Sequence, residues 1–200
     1  MVEADAGALM REAFALHQAG SLPKAEALYR SILELQPRNH DALYLLGLIE
    51  HARGNSAQAI ALVAQAVRHH DRDPAFHQSL GDMLYQSERW PEAAASYEAA
   101  LALAPALTAP QLANLAAIYR SHGRIDASIA RFREALALAP NEADIFSSYL
   151  FTLNSSTSLS PGEIFAEHRR YGKLFGSPAG VSAFRRGSAR RRPADRRRRR

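Results

Sequence analysis

Residues 78–105 read QSLGDMLYQSERWPEAAASYEAALALAP, and this stretch decides the fold. Its second half, residues 93–104, is rich in alanine and leucine, which have high helix propensity. The apolar alternation before Pro105 could also suggest a strand, but the surrounding periodicity of about 3.6 residues and the proline stop favour a helix. Trp90 and Pro91 fall between two helical patterns, and we interpret Trp90 as a packing residue at the turn. The stretch predicts a helical hairpin.

The same hairpin pattern recurs along the chain, in four copies at spacings of 34, 34 and 35 residues. Six sequence columns keep their order in every copy, which is hard to obtain by chance and indicates an internal repeat. The columns are Ala13, Gly47, Gly81, Ala116; Gly20, Gly54, Glu88, Gly123; Ala25, Ala59, Ala93, Ser128; Tyr29, Val63, Tyr97, Phe132; Ile32, Ala66, Ala100, Ala135; and Pro37, Asp71, Pro105, Pro140.

Each column has a physical role in a stack of hairpins. Gly47 and Gly81 lie midway along the first helix of a pair, where only a small residue lets the second helix approach closely. Gly20 and Gly54 follow the first helix, where the left-handed conformation that ends a helix is easiest for glycine. The large residues of the fourth column fill the gap towards the next repeat, and Pro37 and its equivalents stop the second helix.

The period, residue types and order of these columns resemble the tetratricopeptide repeat, in four copies over residues 6–140. The resemblance implies an all-α fold, a right-handed superhelical solenoid of antiparallel helix pairs completed by capping helices. Each pair alone leaves an apolar face uncovered, so the stability must come from stacking. The resemblance also implies a function, because the first helices of such repeats line a concave surface that binds a protein or peptide.

We predict eight inward-facing residues on that concave surface. Their amide, hydroxyl and aromatic groups suit an extended peptide, whose backbone they can bond and whose side chains they can contact. The alternative is that each is only a solvated helix position. The candidates are Tyr44, His51, Gln78, Ser79, Asp82, Tyr85, Asn114 and Arg120.

Residues 141–176 predict two further helices. Asn141 is placed to cap the first, with Asp144 favourable near its positive dipole end. An apolar stripe on this helix would close the exposed end of the stack. Ser160 and Glu163 form a capping box around Pro161 at the start of the second helix. The stripe consists of Ile145, Phe146, Tyr149, Leu150 and Leu153.

The segment FSSYLFTLNSSTSLSPGEIFAEHRRYGKLF, residues 146–175, resembles the join between repeats and catalytic domain in bacterial, SPINDLY-like O-linked N-acetylglucosamine transferases. The resemblance implies that this chain is the substrate-recognition arm of such a protein, or a fragment of a full-length UDP-GlcNAc-dependent glycosyltransferase. Only 25 residues follow Phe175, too few for the two catalytic lobes, and no phosphate-binding glycine loop occurs. We assign no catalytic residue and no cofactor, and we do not expect this chain alone to be an enzyme.

The last residues, 177–200, differ sharply from the rest. Residues 184–200 hold ten arginines and one aspartate, a local charge of +9, which leaves −4 of the net +5 for residues 1–183. We expect this segment to be disordered. Three interpretations stay open: nonspecific nucleic-acid binding through phosphates, an idle terminus, or out-of-frame translation of a truncated transferase gene.

The remaining composition excludes several classes of site. The chain has no cysteine, so it has no disulfide and no thiolate site. An acidic N-terminus and the lack of a long apolar run predict a cytoplasmic protein that does not cross a membrane. His69, His70 and His77 lack the paired i, i+4 spacing of a metal site, and no glycine-flanked serine nucleophile occurs, so we predict neither. The oligomeric state does not follow from the sequence.

Overall fold

The computed structural model describes residues 2–104 and 107–176, with side chains from Ala6 onward. The described residues form ten α-helices and no strand, as predicted. The helices are α1 (Val2–Gln18), α2 (Leu22–Leu35), α3 (His40–Ala52), α4 (Ser56–His69), α5 (Pro74–Gln86), α6 (Trp90–Leu103), α7 (Ala109–Ser121), α8 (Ile125–Leu138), α9 (Ala143–Leu153) and α10 (Pro161–Phe175).

Consecutive helices pair into four antiparallel hairpins, α1/α2, α3/α4, α5/α6 and α7/α8, and the second helix of each also packs on the first helix of the next. The hairpins thus stack into the predicted right-handed solenoid. Helix α9 covers the open face of the last hairpin by contacting α7 and α8. The final helix, α10, lies against α9.

Small residues in the first helices permit this close pairing, as their column predicted. A Cβ atom built on Gly47 would lie 2.6 Å from Cγ2 of Val63, and one on Gly81 would lie 2.6 Å from the ring of Tyr97. Real Cβ atoms do not tolerate such distances. A larger residue at either position would therefore force the two helices of a hairpin apart.

The turns within the hairpins need a left-handed residue. Gly20, Gly54 and Gly123 have φ angles of +75°, +84° and +73°, and each donates a backbone hydrogen bond into the last turn of the preceding helix. In the third hairpin Glu88 takes the same place with φ of 59°. The predicted role of the glycine column is therefore confirmed, and Glu88 carries the conformational cost that glycine avoids elsewhere.

Helix starts follow one column of the repeat. The side chains of Asn39, Asp73 and Thr108 accept hydrogen bonds from backbone amides of α3, α5 and α7. The predicted cap of α9 at Asn141 is wrong: Glu142 is the N-cap residue, in register with Thr108, and makes no side-chain cap bond. Asn141 lies in the turn between α8 and α9, one residue too early.

The second capping prediction is confirmed. The hydroxyl of Ser160 accepts a hydrogen bond from the Glu163 amide at 3.3 Å, and Oε2 of Glu163 accepts one from the Ser160 amide at 2.8 Å. Both bonds hold the N-terminus of α10, with Pro161 as its first residue. The Ser160 hydroxyl also donates to Oε2 of Glu163 at 2.7 Å, and this bond, together with the one from the Ser160 amide, lowers the pKa of the Glu163 carboxyl because hydrogen bonds to its charged form favour ionisation.

Aromatic side chains fill the joints between hairpins. Tyr29, Tyr97 and Phe132, from the predicted column, are 0 to 1% exposed, as are Phe146 and Tyr149 of α9. Burial raises the pKa of Tyr29 to about 12. The core is thus a continuous row along the solenoid, with the first helices left to form one face.

Candidate functional site

All eight predicted groove residues are partly exposed on the first helices α3, α5 and α7. Two are on α3 (Tyr44, His51), four on α5 (Gln78, Ser79, Asp82, Tyr85) and two on α7 (Asn114, Arg120). Partial exposure is the burial expected of side chains that line a concave surface. The eight side chains have different surroundings in the structure. Some are available to a ligand, and others are already hydrogen-bonded within the protein.

The middle of the surface is fixed by internal hydrogen bonds. The Asp82 carboxylate accepts bonds from the Tyr97 hydroxyl and from Nε2 of Gln111, both at 2.7 Å. The Tyr44 hydroxyl lies 2.9 Å from Oγ of Ser79. Burial, together with the adjacent Asp82, raises the pKa of Tyr97. Asp82 is therefore bonded within its own hairpin and to the next one, and Ser79 lies within hydrogen-bond distance of the preceding hairpin.

An apolar basin lies at the N-terminal end of the surface, with a volume of about 520 Å³. The ring of Phe76 stacks on Tyr44 with centroids 4.4 Å apart, and Phe14 opposite them is 46% exposed. We call this the N-terminal basin. Its lining also includes Gly7, Met10, Leu45 and the charged residues Arg11, Asp41 and Asp73.

A second basin of about 410 Å³ lies between α7 and α9, towards the C-terminal end of the solenoid. Tyr85 and Asn114, both predicted site residues, belong to its lining. Two carboxylates from the start of α9, Glu142 and Asp144, also line it. We call this the C-terminal basin. Its apolar lining includes Ala113, Ala117 and Ile145, with Ser148 and the buried Phe132.

Arg120 lies in the last turn of α7, away from Glu142 and Asp144, which lie at the start of α9. Its Nη1 donates to the Ser148 carbonyl at 3.5 Å and to Oγ1 of Thr152 at 3.4 Å, and its guanidinium is 5.1 Å from the ring centre of Phe151. A shallow depression beside it is lined by Tyr85 and Trp90. Trp90, the first residue of α6, is 44% exposed, so it is only partly packed.

The other predicted residues and clusters contribute less. His51 and Gln78 line neither basin, although Nδ1 of His51 is buried without a hydrogen-bond partner. His70 stacks on His40, with ring centroids 4.5 Å apart. Within residues 2–104 and 107–176, no three histidine or carboxylate side chains come close enough together to hold a metal ion.

Sequence reasoning missed several contributors to the basins, among them Phe14, Phe76, Glu142 and Asp144. Phe14 could have been found, because the repeat register aligns it with Asp82, a residue that was selected. Glu142 could have been found from its register with Asp73 and Thr108. Phe76 gave no such signal, since its column holds the buried Ala42.

Comparisons with known proteins agree with this geometry. Sequence profiles of the tetratricopeptide repeat match residues 16–82, 74–107 and 111–145. The chain is a tetratricopeptide repeat protein. No protein with a curated description matches its sequence.

Solved structures of other proteins share the fold at low sequence identity. YrrB, described as a tetratricopeptide protein with an unusual peptide-binding site, superposes with a TM-score of 0.72 at 17% identity, over 89% of this chain and 90% of YrrB. MamA from AMB-1 gives 0.72 at 16% identity, over 90% and 98%. PilF of Pseudomonas aeruginosa gives 0.63 at 19% identity, over 87% and 76%. At such identities the likeness shows the fold alone.

The described part of this tetratricopeptide repeat protein contains no helix that is both long enough and apolar enough to span a bilayer. The predicted arginine-rich tail, residues 177–200, and the column residue Pro105 lie outside the described residues.

Proposed function

We propose that the concave surface of this tetratricopeptide repeat protein binds an extended segment of a partner protein. The observation that carries the proposal is the pair of apolar basins on the first helices, with partly exposed Tyr44, Tyr85 and Asn114 in their linings. Apolar basins can take partner side chains, and the amide of Asn114 can bond the partner backbone. The peptide-binding site named for YrrB, which has the same fold, supports this proposal.

A displayed library of random peptides, selected on the full-length chain, would supply ligands for a direct test. The double variant Tyr85→Ala/Asn114→Ala should weaken binding of the selected peptides about 10- to 100-fold, because aromatic anchors dominate such interfaces. The matched control is Glu34→Ala/Gln58→Ala, which changes two exposed residues on the second helices α2 and α4. Fluorescence anisotropy would give the dissociation constants, and circular dichroism would check that all variants stay helical.

Equal weakening by both double variants would show that the peptides do not use the groove. Unchanged binding to the Tyr85→Ala/Asn114→Ala variant, with intact helicity, would refute the proposal.

We further propose that this groove is the substrate-recognition arm of an O-linked N-acetylglucosamine transferase-like protein. The support is the resemblance of residues 146–175 to the repeat-to-catalytic join, together with the α10 helix that this segment forms on α9. Sequencing the gene from codon 170 onward and translating all three frames tests it. A glycosyltransferase sequence resuming in another frame is the expected result, and rapid closure of every frame would refute it.

A further inference from the structure

The rim of the C-terminal basin carries unpaired negative charge. Glu142 and Asp144 are both exposed, and neither has an arginine, lysine or histidine within ion-pair distance among the described residues. Among the residues that the structure describes, no cationic side chain lines this basin. Both carboxylates lie at the N-terminal end of α9.

The N-terminal basin has the same construction in a weaker form. Asp41 and Asp73 lie at the N-terminal ends of α3 and α5, beside an apolar floor. Here Arg11 offsets part of the charge, and the Asp73 carboxylate accepts a bond from the Ala75 amide at 2.8 Å. Acidic residues therefore recur along one edge of the concave surface. Their negative charge is least offset by neighbouring groups at the C-terminal basin.

We infer that the C-terminal basin takes an apolar side chain of a partner segment that carries arginine or lysine within one or two residues of it. The inference rests on the proposed groove function and adds the chemistry of the partner. The apolar floor accounts for the anchor, and the two rim carboxylates account for the adjacent cation.

Two labelled peptides test the cation directly. The probe is acetyl-Ala-Leu-Phe-Arg-Arg-Ala-amide, and its control replaces both arginines by citrulline, which keeps the shape and removes the charge. We expect the probe to bind the full chain about five- to tenfold more tightly than the control at low salt, as two exposed ion pairs would give. The difference should shrink as salt is added. Equal binding of the two peptides would overturn the inference.

Substitutions on the protein locate the effect. Glu142→Gln/Asp144→Asn removes both rim charges without breaking a capping bond, since neither side chain makes one. This variant should lose the five- to tenfold preference for the charged probe and keep its affinity for the citrulline peptide. The control Glu34→Gln, an exposed carboxylate on α2, should change neither. A preference that survives in the double variant would overturn the inference.

The outcome also separates this inference from the proposed function. Library peptides that depend on Tyr85 and Asn114 but carry no enrichment in arginine or lysine would leave the groove function standing and refute the basic partner. Peptides that bind independently of Tyr85 and Asn114 would refute both. Enrichment of basic residues beside an apolar one, lost on selection against the Glu142→Gln/Asp144→Asn variant, would support both.

Discussion

Helices α1 to α9 and helix α10 are equally regular in backbone, yet buried side chains hold them to very different degrees. Each of the second to ninth helices contains at least three buried residues, whereas α10 contains none. Helix α10 contacts the stack through Tyr171 and Phe175, whose rings lie 5.5 and 6.1 Å from that of Phe146. Capping and propensity thus form a helix in both regions, but burial decides how firmly it is anchored.

Two glycine substitutions should separate the regions most strongly. Alanine is favoured over glycine inside a helix by about 1 kcal/mol, so propensity alone predicts stabilisation at both sites. At Gly81 the added Cβ would meet the Tyr97 ring, and we expect Gly81→Ala to lower the free energy of unfolding by about 2 kcal/mol. At Gly172 in α10 no atom of the described residues lies within 4 Å of an added Cβ, so Gly172→Ala should stabilise that helix by up to about 1 kcal/mol. Urea unfolding measures the first effect, and hydrogen exchange of α10 amides the second. Stabilisation by Gly81→Ala would contradict the close approach of α5 and α6.

The contacts of α10 with α9 should be removable without unfolding the stack. Tyr171→Ala deletes the ring that packs on Phe146 and whose hydroxyl is 3.3 Å from Ser147. We expect the α10 amides to exchange faster, corresponding to a local loss of about 1 to 2 kcal/mol, while protection in α5 and α7 stays constant. Hydrogen exchange with mass spectrometry resolves the two regions. Equal loss of protection in α5 would mean that α10 is part of the same cooperative unit.

The two regions explain how far the sequence could predict the fold. The glycine columns determine the close helix pairs and the turns because a Cβ atom or a wrong φ angle cannot be accommodated there, so Gly47, Gly81 and Gly54 were predicted correctly. The cap of α9 was not, because Asn141 and Glu142 differ by one residue and only the repeat register distinguishes them.

Lowering the pH should destabilise the stack through the carboxyl of Glu26 and α10 through the carboxyl of Glu163. The Glu26 side chain is 16% exposed and pairs with Arg53 at 2.5 Å and with Arg30 at 2.8 Å, which lowers its pKa below the ordinary value of 4.5. A carboxyl with a lowered folded pKa contributes stability above its unfolded pKa and loses it as the pH falls through the folded value. Glu26→Gln should therefore cost about 1 kcal/mol at pH 7 and flatten the fall in unfolding free energy below about pH 4.5.

Glu163 in α10 is the matched comparison, since its pKa is also lowered, by hydrogen bonds from Ser160. Glu163→Gln should leave the pH dependence of global unfolding unchanged and alter only the exchange of the first α10 amides. Urea unfolding at pH 3 to 7 measures the first quantity. An equal flattening by both substitutions would show that α10 and the stack unfold together.

The concave surface was less predictable than the fold, for a physical reason. Repeat positions indicate which residues face inward, and Tyr44, Tyr85 and Asn114 lie in the basins accordingly. They do not indicate which polar groups are already hydrogen-bonded within the protein, as Asp82 is to Tyr97 of its own hairpin and to Gln111 of the next. That depends on distances between side chains far apart in sequence, which a column of aligned residues does not contain.

The smallest effect is expected at Phe165, which is 63% exposed on α10. Replacing it by serine removes little buried area, so Phe165→Ser should change the unfolding free energy by less than about 0.5 kcal/mol. Tyr171→Ala, in the same helix, should by contrast accelerate the exchange of α10 amides measurably. If Phe165→Ser accelerates α10 exchange as much as Tyr171→Ala does, the ring contributes to packing that its exposure does not reveal. If it does not, α10 is held to the stack by its packed residues, such as Tyr171, and the Phe165 ring contributes nothing measurable to the fold.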